Sequence, residues 1–227
     1  IAIIEMGANH QKEIDFLCRI AEPNYGMLTN IGKAHLEGFG GEEGIRKGKT
    51  EMFRFIEKHG GKLFINLDDP KIKDSVPLNV ETITYSLNEN AQCKGSLIVT
   101  HPNLVGSWNS RNDSGEITSN LYGTYNFHNI LAACCIAKYF GVKGSEIDEA
   151  IQNYESDMNR SQLVHENGIK IYLDAYNANP SSMSLSVDNF NRSVDKNKVA
   201  ILGDMFELGG AASEEHRKIL NLLQAGT

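Results

Sequence analysis

Seven side chains in this sequence have a type and a position that could do chemistry: Glu5, His35, Lys49, Asn126, Asn129, Arg160 and Asp174. Glu5 stands near the end of the apolar run Ile1-Ala2-Ile3-Ile4, and His35 follows the run from Tyr25 to Asn30. If both runs are strands of an open α/β sheet, their carboxyl ends are where ligands bind, and a carboxylate and an imidazole there could share a site. Each could equally be an ordinary surface residue. Lys49 is more informative. On a helical wheel turning about 100° per residue it falls within the stripe of Ile45, Met52, Phe53 and Ile56, while Lys47 falls on the opposite face. A lysine on an apolar stripe either snorkels to water or is desolvated until its neutral amine becomes accessible. Asn126 and Asn129 open a helix after Gly123; an N-cap explains one of them, and an amide can also read a nucleobase edge. Asp174 ends a strand before Tyr176-Asn177-Ala178-Asn179-Pro180, where its carboxylate could bind ribose hydroxyls or close an Asx turn. Arg160 could clamp a phosphate or lie free on the surface.

The pattern around these residues predicts elements able to hold them. Ile1 to Met6 reads as a short buried strand ending at Gly7. Ile14, Leu17, Cys18 and Ala21 mark a helix closed by Pro23. Tyr25 to Asn30 is a second strand, a glycine-rich loop follows, and one long helix carries Ile45 to Ile56. Lys62 to Leu67 is a third strand. This rhythm defines an α/β class with a mostly parallel central sheet flanked by helices and joined by right-handed crossovers. From about Val80 to Tyr122, short β-rich runs around Pro102 and Trp108 read as an added antiparallel segment. A helix through Ile130, Ala133, Cys134 and Ala137 closes at Gly141, and Ser145-x-x-Asp148 fits the cap of the next one. Residues 155–168 read as polar and irregular. A second β-α-β unit then begins, with a strand at 169–174, a helix opened by Pro180 and a strand at 199–202. The expected division is 1–157 and 158–227, the second part being an incomplete Rossmann-like α/β domain.

Composition excludes several classes. A formal charge of −7 argues against a surface built to hold nucleic acid, and no apolar run approaches the roughly 20 residues that span a bilayer. The cysteines (Cys18, Cys93, Cys134, Cys135) lack the spacing of a zinc site and suit reduced thiols in a cytoplasmic protein. No G-x-G-x-x-G follows a strand, which argues against a dinucleotide-dependent oxidoreductase, and no G-x-x-x-x-G-K-[ST] occurs. The triplet Gly48-Lys49-Thr50 belongs to the amphipathic helix and not to a phosphate loop. The sequence opens on a strand pattern with no initiator Met and closes directly after an apolar helical run. The expectation is a segment of a longer protein, unable to turn over ATP by itself.

Seven stretches in fixed order resemble the Mur ligases: Glu5-Met6-Gly7-Ala8-Asn9-His10; Asn30 to Gly40 (NIGKAHLEGFG); Lys49-Thr50-Glu51-Met52-Phe53; Asn66-Leu67-Asp68-Asp69-Pro70; Gly123 to Asn129 (GTYNFHN); Asp174 to Pro180 (DAYNANP); and Gly203 to Gly209 (GDMFELG). The forms AHLEGFG and YNANP are most similar to the branch that adds a dipeptide. The resemblance implies an ATP-dependent ligase of peptidoglycan precursor synthesis, with UDP-N-acetylmuramoyl tripeptide and D-alanyl-D-alanine as substrates and ATP and Mg²⁺ as cofactors. It further implies Glu5, His35 and carbamylated Lys49 at the metal, Asn126 and Asn129 at adenine, Arg160 at the phosphates and Asp174 at the ribose. Tyr125 departs from the family, which often has His there. The sibling that adds the third amino acid, a folylpolyglutamate synthase-like ligase and a non-catalytic homologue are the alternatives.

Overall fold

The computed structural model describes residues 1–100, 103–156, 159–195 and 197–225, the side chains of residues 224 and 225 excepted. Pro102 and the boundary expected at residues 157 and 158 lie outside the described residues. The main unit is a six-stranded sheet in which spatial order follows chain order: β1 (Tyr25–Met27), β2 (Lys62–Asn66), β3 (Glu81–Ser86), β4 (Cys93–Val99), β5 (Val105–Ser110) and β6 (Asp113–Thr118). The first four strands pair in parallel and the last three as an antiparallel meander. The mixed α/β class expected from the rhythm of the sequence is the one observed. β3 and β4 share only two register pairs, because the connection through residues 87–92 is too short for a full parallel crossover.

β2 shows why this sheet must be covered on both sides. Leu63 and Ile65 point into one core with Phe53, Ile56 and Cys18, while Phe64 points into the other with Trp108, Phe127 and Leu131. The first core is closed by α1 (Glu13–Ala21) and α4 (Glu51–Lys58), the second by α6 (Tyr125–Tyr139), which packs across β2 to β5. α7 (Gly144–Gln152) covers β6. Its cap differs from the expected Ser145/Asp148 pattern: Lys143 is the N-cap residue, and the Glu146 carboxylate accepts from its amide at 3.2 Å. Asp148 turns elsewhere, accepting from Trp108 Nε1 at 2.8 Å and so satisfying the one polar atom of a buried indole. All four cysteines are free and buried.

Four further expectations from the sequence are corrected. The long helix through Ile45 and Ile56 is two helices, α3 (Glu42–Lys49) and α4, parted at Thr50, whose hydroxyl donates to the Arg46 carbonyl at 2.8 Å. Ile1 to Met6 and Val199 to Leu202 are not strands: neither joins a ladder, and Ile3 and Ile201 are 91% and 94% exposed. A strand exists only by pairing, so apolar content alone cannot make one. In the second unit, β8 (Ile169–Leu173) is the strand expected at 169–174, but it pairs in an antiparallel hairpin with β7 (Gln162–Glu166), where irregular chain was expected. Its turn is Asn167-Gly168, both at positive φ, and that dipeptide was the overlooked hairpin signal. α8 (Pro180–Arg192) and α9 (Ala212–Ala225) complete this unit around Met183, Val187, Met205, Leu208 and Ile219. α8 starts as its proline suggested, with Asn179 Oδ1 accepting from the Ser181 and Ser182 amides.

The glycines of the G-K-T region have a packing reason. A Cβ on Gly44 would stand 1.9 Å from the Phe39 carbonyl oxygen, and one on Gly48 2.5 Å from the Phe39 ring. Gly44→Ala is therefore expected to lower stability by about 1–3 kcal/mol through overpacking against backbone. Urea unfolding followed by circular dichroism measures it, and an unchanged midpoint would refute the packing account.

Candidate active site

The loop leaving β1 reaches α2 (Leu36–Phe39) through His35, which takes the left-handed conformation at φ 56° as the helix N-cap. Three other segments hold this loop. Lys49, the last residue of α3, donates from Nζ to the Asn30 carbonyl at 3.2 Å. The Lys33 amide donates to Ser181 Oγ at 2.8 Å, and the Lys33 ammonium pairs with Glu42 at 2.8 Å and with buried Glu215 at 3.6 Å. Leu36 packs with the second unit's core, the Glu37 amide donates to the Glu207 carbonyl at 3.2 Å, and His35 Nδ1 meets the Glu207 carboxylate. Lys49 is half-buried at the end of α3, and the break at Thr50 removes the single helical wheel that set it in line with Met52, Phe53 and Ile56. Desolvation holds its amine below the ordinary 10.5, with the Asp69 carboxylate opposing the shift.

The other half of the site lies where α6 meets the second unit. Asn126 and Asn129 are inside the helix and neither is its cap, which is Thr124. Asn126 is buried and donates from Nδ2 to the Tyr122 carbonyl at 2.8 Å; Asn129 Nδ2 donates to Asn126 Oδ1 at 3.3 Å. The Tyr125 hydroxyl bonds Ser161 Oγ at 2.7 Å and donates to Asp174 Oδ2 at 3.3 Å. Burial and the Asp174 charge push the Tyr125 phenol well above its ordinary value. Asp174 Oδ1 also accepts from the Ser161 amide at 3.3 Å, so its carboxylate spans two units and does not close a local Asx turn. The Arg160 guanidinium lies over the Tyr176 ring at 3.7 Å, and the Ala175 amide donates to the Asn159 carbonyl at 2.8 Å, which sets Arg160 beside Asp174 in the chain's folding.

The structure brings together Lys49 with the His35 loop, Asn126 with Asn129, and Arg160 with the Asp174 turn. Glu5 joins neither half; it is exposed in an irregular segment. Among the described residues no group of three or more His, Cys, Asp and Glu could hold a metal ion. Glu5 and His35 offer one carboxylate and one imidazole, and a lysine amine is no ligand for a hard cation. The donor set suits Mg²⁺ only if Lys49 carries a carbamate, which adds oxygen donors. The desolvated Lys49 amine is the form that such a modification requires. Sequence reasoning assigned no role to Glu207, Ser181 or Tyr176: the first and last lie inside recognised motifs and Ser181 just beyond one, but the partners of each are distant in sequence.

These features define a two-unit class of protein, a mixed α/β unit meeting a second unit over strand-end loops. The family signature described as the Mur ligase middle domain matches residues 1–137, and the one described as the Mur ligase, glutamate ligase domain matches residues 159–227. The chain belongs to the Mur ligase family. The UDP-N-acetylmuramoyl-tripeptide–D-alanyl-D-alanine ligase of Bacillus subtilis is 29% identical over 227 residues, 96% of this chain and 47% of that protein. The crystal structure of MurF from Acinetobacter baumannii matches with a TM-score of 0.85 at 26% identity, covering 96% of this chain and 48% of its own. MurF ligase from Thermotoga maritima, solved in complex with ADP, matches with a TM-score of 0.84 at 26% identity, covering 96% and 51%. The chain spans about half the length of these relatives.

The Lys49 environment carries a pH signature. Its folded pKa is lowered, so between that value and 10.5 the unfolded chain binds more protons and stability rises with pH. At neutral pH the folded state bears the desolvation penalty. Lys49→Met is expected to be at least as stable as the parent at pH 7 in CO₂-free buffer, with its advantage shrinking toward pH 10. Thermal melts across that range check it, and a pH-independent difference would remove the desolvation argument.

Proposed function

We propose that this chain forms the metal-binding and adenine-side parts of an ATP-dependent ligase that joins D-alanyl-D-alanine to UDP-N-acetylmuramoyl tripeptide, a step of peptidoglycan precursor synthesis in the cytoplasm. Residues 1–157 serve as its central ATPase domain and residues 158–227 as the start of its C-terminal ligase domain. Among the described residues no helix is long and apolar enough to cross a membrane. The names of the relatives and the ADP complex of the Thermotoga protein support the substrates and the nucleotide.

The reaction divides into two displacements. The tripeptide's terminal carboxylate takes the γ-phosphoryl group of ATP and ADP leaves; the amine of D-alanyl-D-alanine then attacks the acyl carbon and phosphate leaves. Neither step needs a protein nucleophile, which agrees with the absence of a Ser/His/Asp or Cys/His arrangement in the sequence. What both need is positioning and charge neutralisation. Mg²⁺, when bound, would neutralise charge on the transferring phosphoryl group. His35, carbamylated Lys49 and, once brought in from its exposed irregular segment, Glu5 would hold it; Asn126 and Asn129 would orient adenine, Asp174 the ribose and Arg160 the phosphates. Arg160 and Asp174 come from the second unit, so docking of that unit would both assemble the site and shield the acyl phosphate from water.

The observation that carries this reading is Lys49: an amine with lowered proton affinity, bonded to the loop that bears His35. In the intact ligase, Lys49→Ala is expected to lose about 10²-fold or more of its turnover, with part of the loss restored by added short-chain carboxylic acids that fill the vacated carbamate position. Coupled ADP-release assays measure both. Undiminished activity in Lys49→Ala would sink the proposal.

A further inference from the structure

His35 spends Nδ1 on a carboxylate from the other unit. Glu207 lies in the turn before α9, at φ 60°, between Met205 and Leu208, which are both buried in the second unit's core. Its carbonyl accepts from the Glu37 amide at 3.2 Å, and a Cβ on Gly209 would stand 3.6 Å from Glu37 Cβ. The carboxylate is therefore delivered from an anchored turn onto the residue that begins α2, 172 positions away in sequence. A carboxylate on Nδ1–H selects that tautomer of a neutral imidazole. It leaves the Nε2 lone pair free and fixed in direction, the arrangement that aims a histidine at a metal.

Resting on the reading of His35 as a metal ligand, we infer that Glu207 is a positioning residue for it, supplied by the second unit. The metal-binding half of the site is then complete only while the second unit grips residues 32–37, through Ser181, Leu36 and Glu207 together. Glu207 itself touches neither nucleotide nor peptide in this role. It couples docking of the second unit to the aim of one imidazole.

Long-range ¹H–¹⁵N correlation spectra of the ¹⁵N-labelled chain, recorded without metal where His35 is neutral, read the tautomer directly. The expected result is a proton on Nδ1 in the parent, loss of that preference in Glu207→Ala, and partial retention in Glu207→Asp. A parent His35 with its proton on Nε2 overturns the inference, as does an unchanged Glu207→Ala spectrum. Binding of Mn²⁺ alone, followed by loss of the free-ion EPR signal, separates the inference from the reading beneath it. Both His35→Ala and Glu207→Ala are expected to weaken Mn²⁺ binding, the latter about 10–100-fold. If His35→Ala binds Mn²⁺ as the parent does, the metal reading fails. If His35→Ala weakens binding and Glu207→Ala does not, the positioning role alone fails. Leu36→Ala, which loosens the grip but keeps the carboxylate, should leave more of the Nδ1–H preference than Glu207→Ala; equal loss in both would reduce Glu207 to a structural contact and overturn the proposal.

Discussion

The grip of the second unit on residues 32–37 is the interaction on which the arrangement of this molecule depends. It combines an amide donated to Ser181, a leucine seated with the second unit's core, a backbone bond to Glu207 and the His35–Glu207 pair. The ionic contacts around it are mostly solvent-exposed and worth little by themselves. Leu36 and the two backbone donors supply the directional and apolar parts, which water cannot replace as cheaply. Because the same loop bears His35, the contact that holds the two units together also sets the geometry of the candidate metal site.

The main sheet supplies the rigidity that makes such a grip useful. With Leu63 and Ile65 committed to one core and Phe64 to the other, β2 cannot shift register without exposing both sets. α3 is locked onto α2 by the close approach of Gly44 and Gly48 to Phe39. Lys49, at the end of α3, is thereby held under the His35 loop by packing. A second connection runs at the far side of the second unit. There Tyr125, in place of the histidine frequent in the family, reaches Ser161 and Asp174, so the departure keeps a polar link between α6 and the second unit.

Much of this was legible in the residues. Period-3.6 stripes located α1 and α6, and the proline at 180 located the start of α8. The Asn167-Gly168 turn was also present in the letters, although the polar residues around it masked the hairpin. Ile1 to Met6 and Val199 to Leu202 show the opposite failure. Their apolar content resembles a buried strand, yet a strand is a relation between two segments, and among the described residues neither pairs with another strand.

By itself the sequence determined the α/β class, the helix stripes and caps such as Asn179-Pro180, and the inventory of groups able to serve a nucleotide ligase. These depend on neighbours a few residues apart, whose interactions any conformation of the chain must respect. Only the tertiary structure decided that the candidate helix through Lys49 breaks at Thr50, that Asp174 bridges to Tyr125, and that Glu207 meets His35. The last two contacts join residues 49 and 172 positions apart. They form only after packing has fixed the units' approach, because loop closure over such spans must be offset by burial elsewhere before any single polar pair can form.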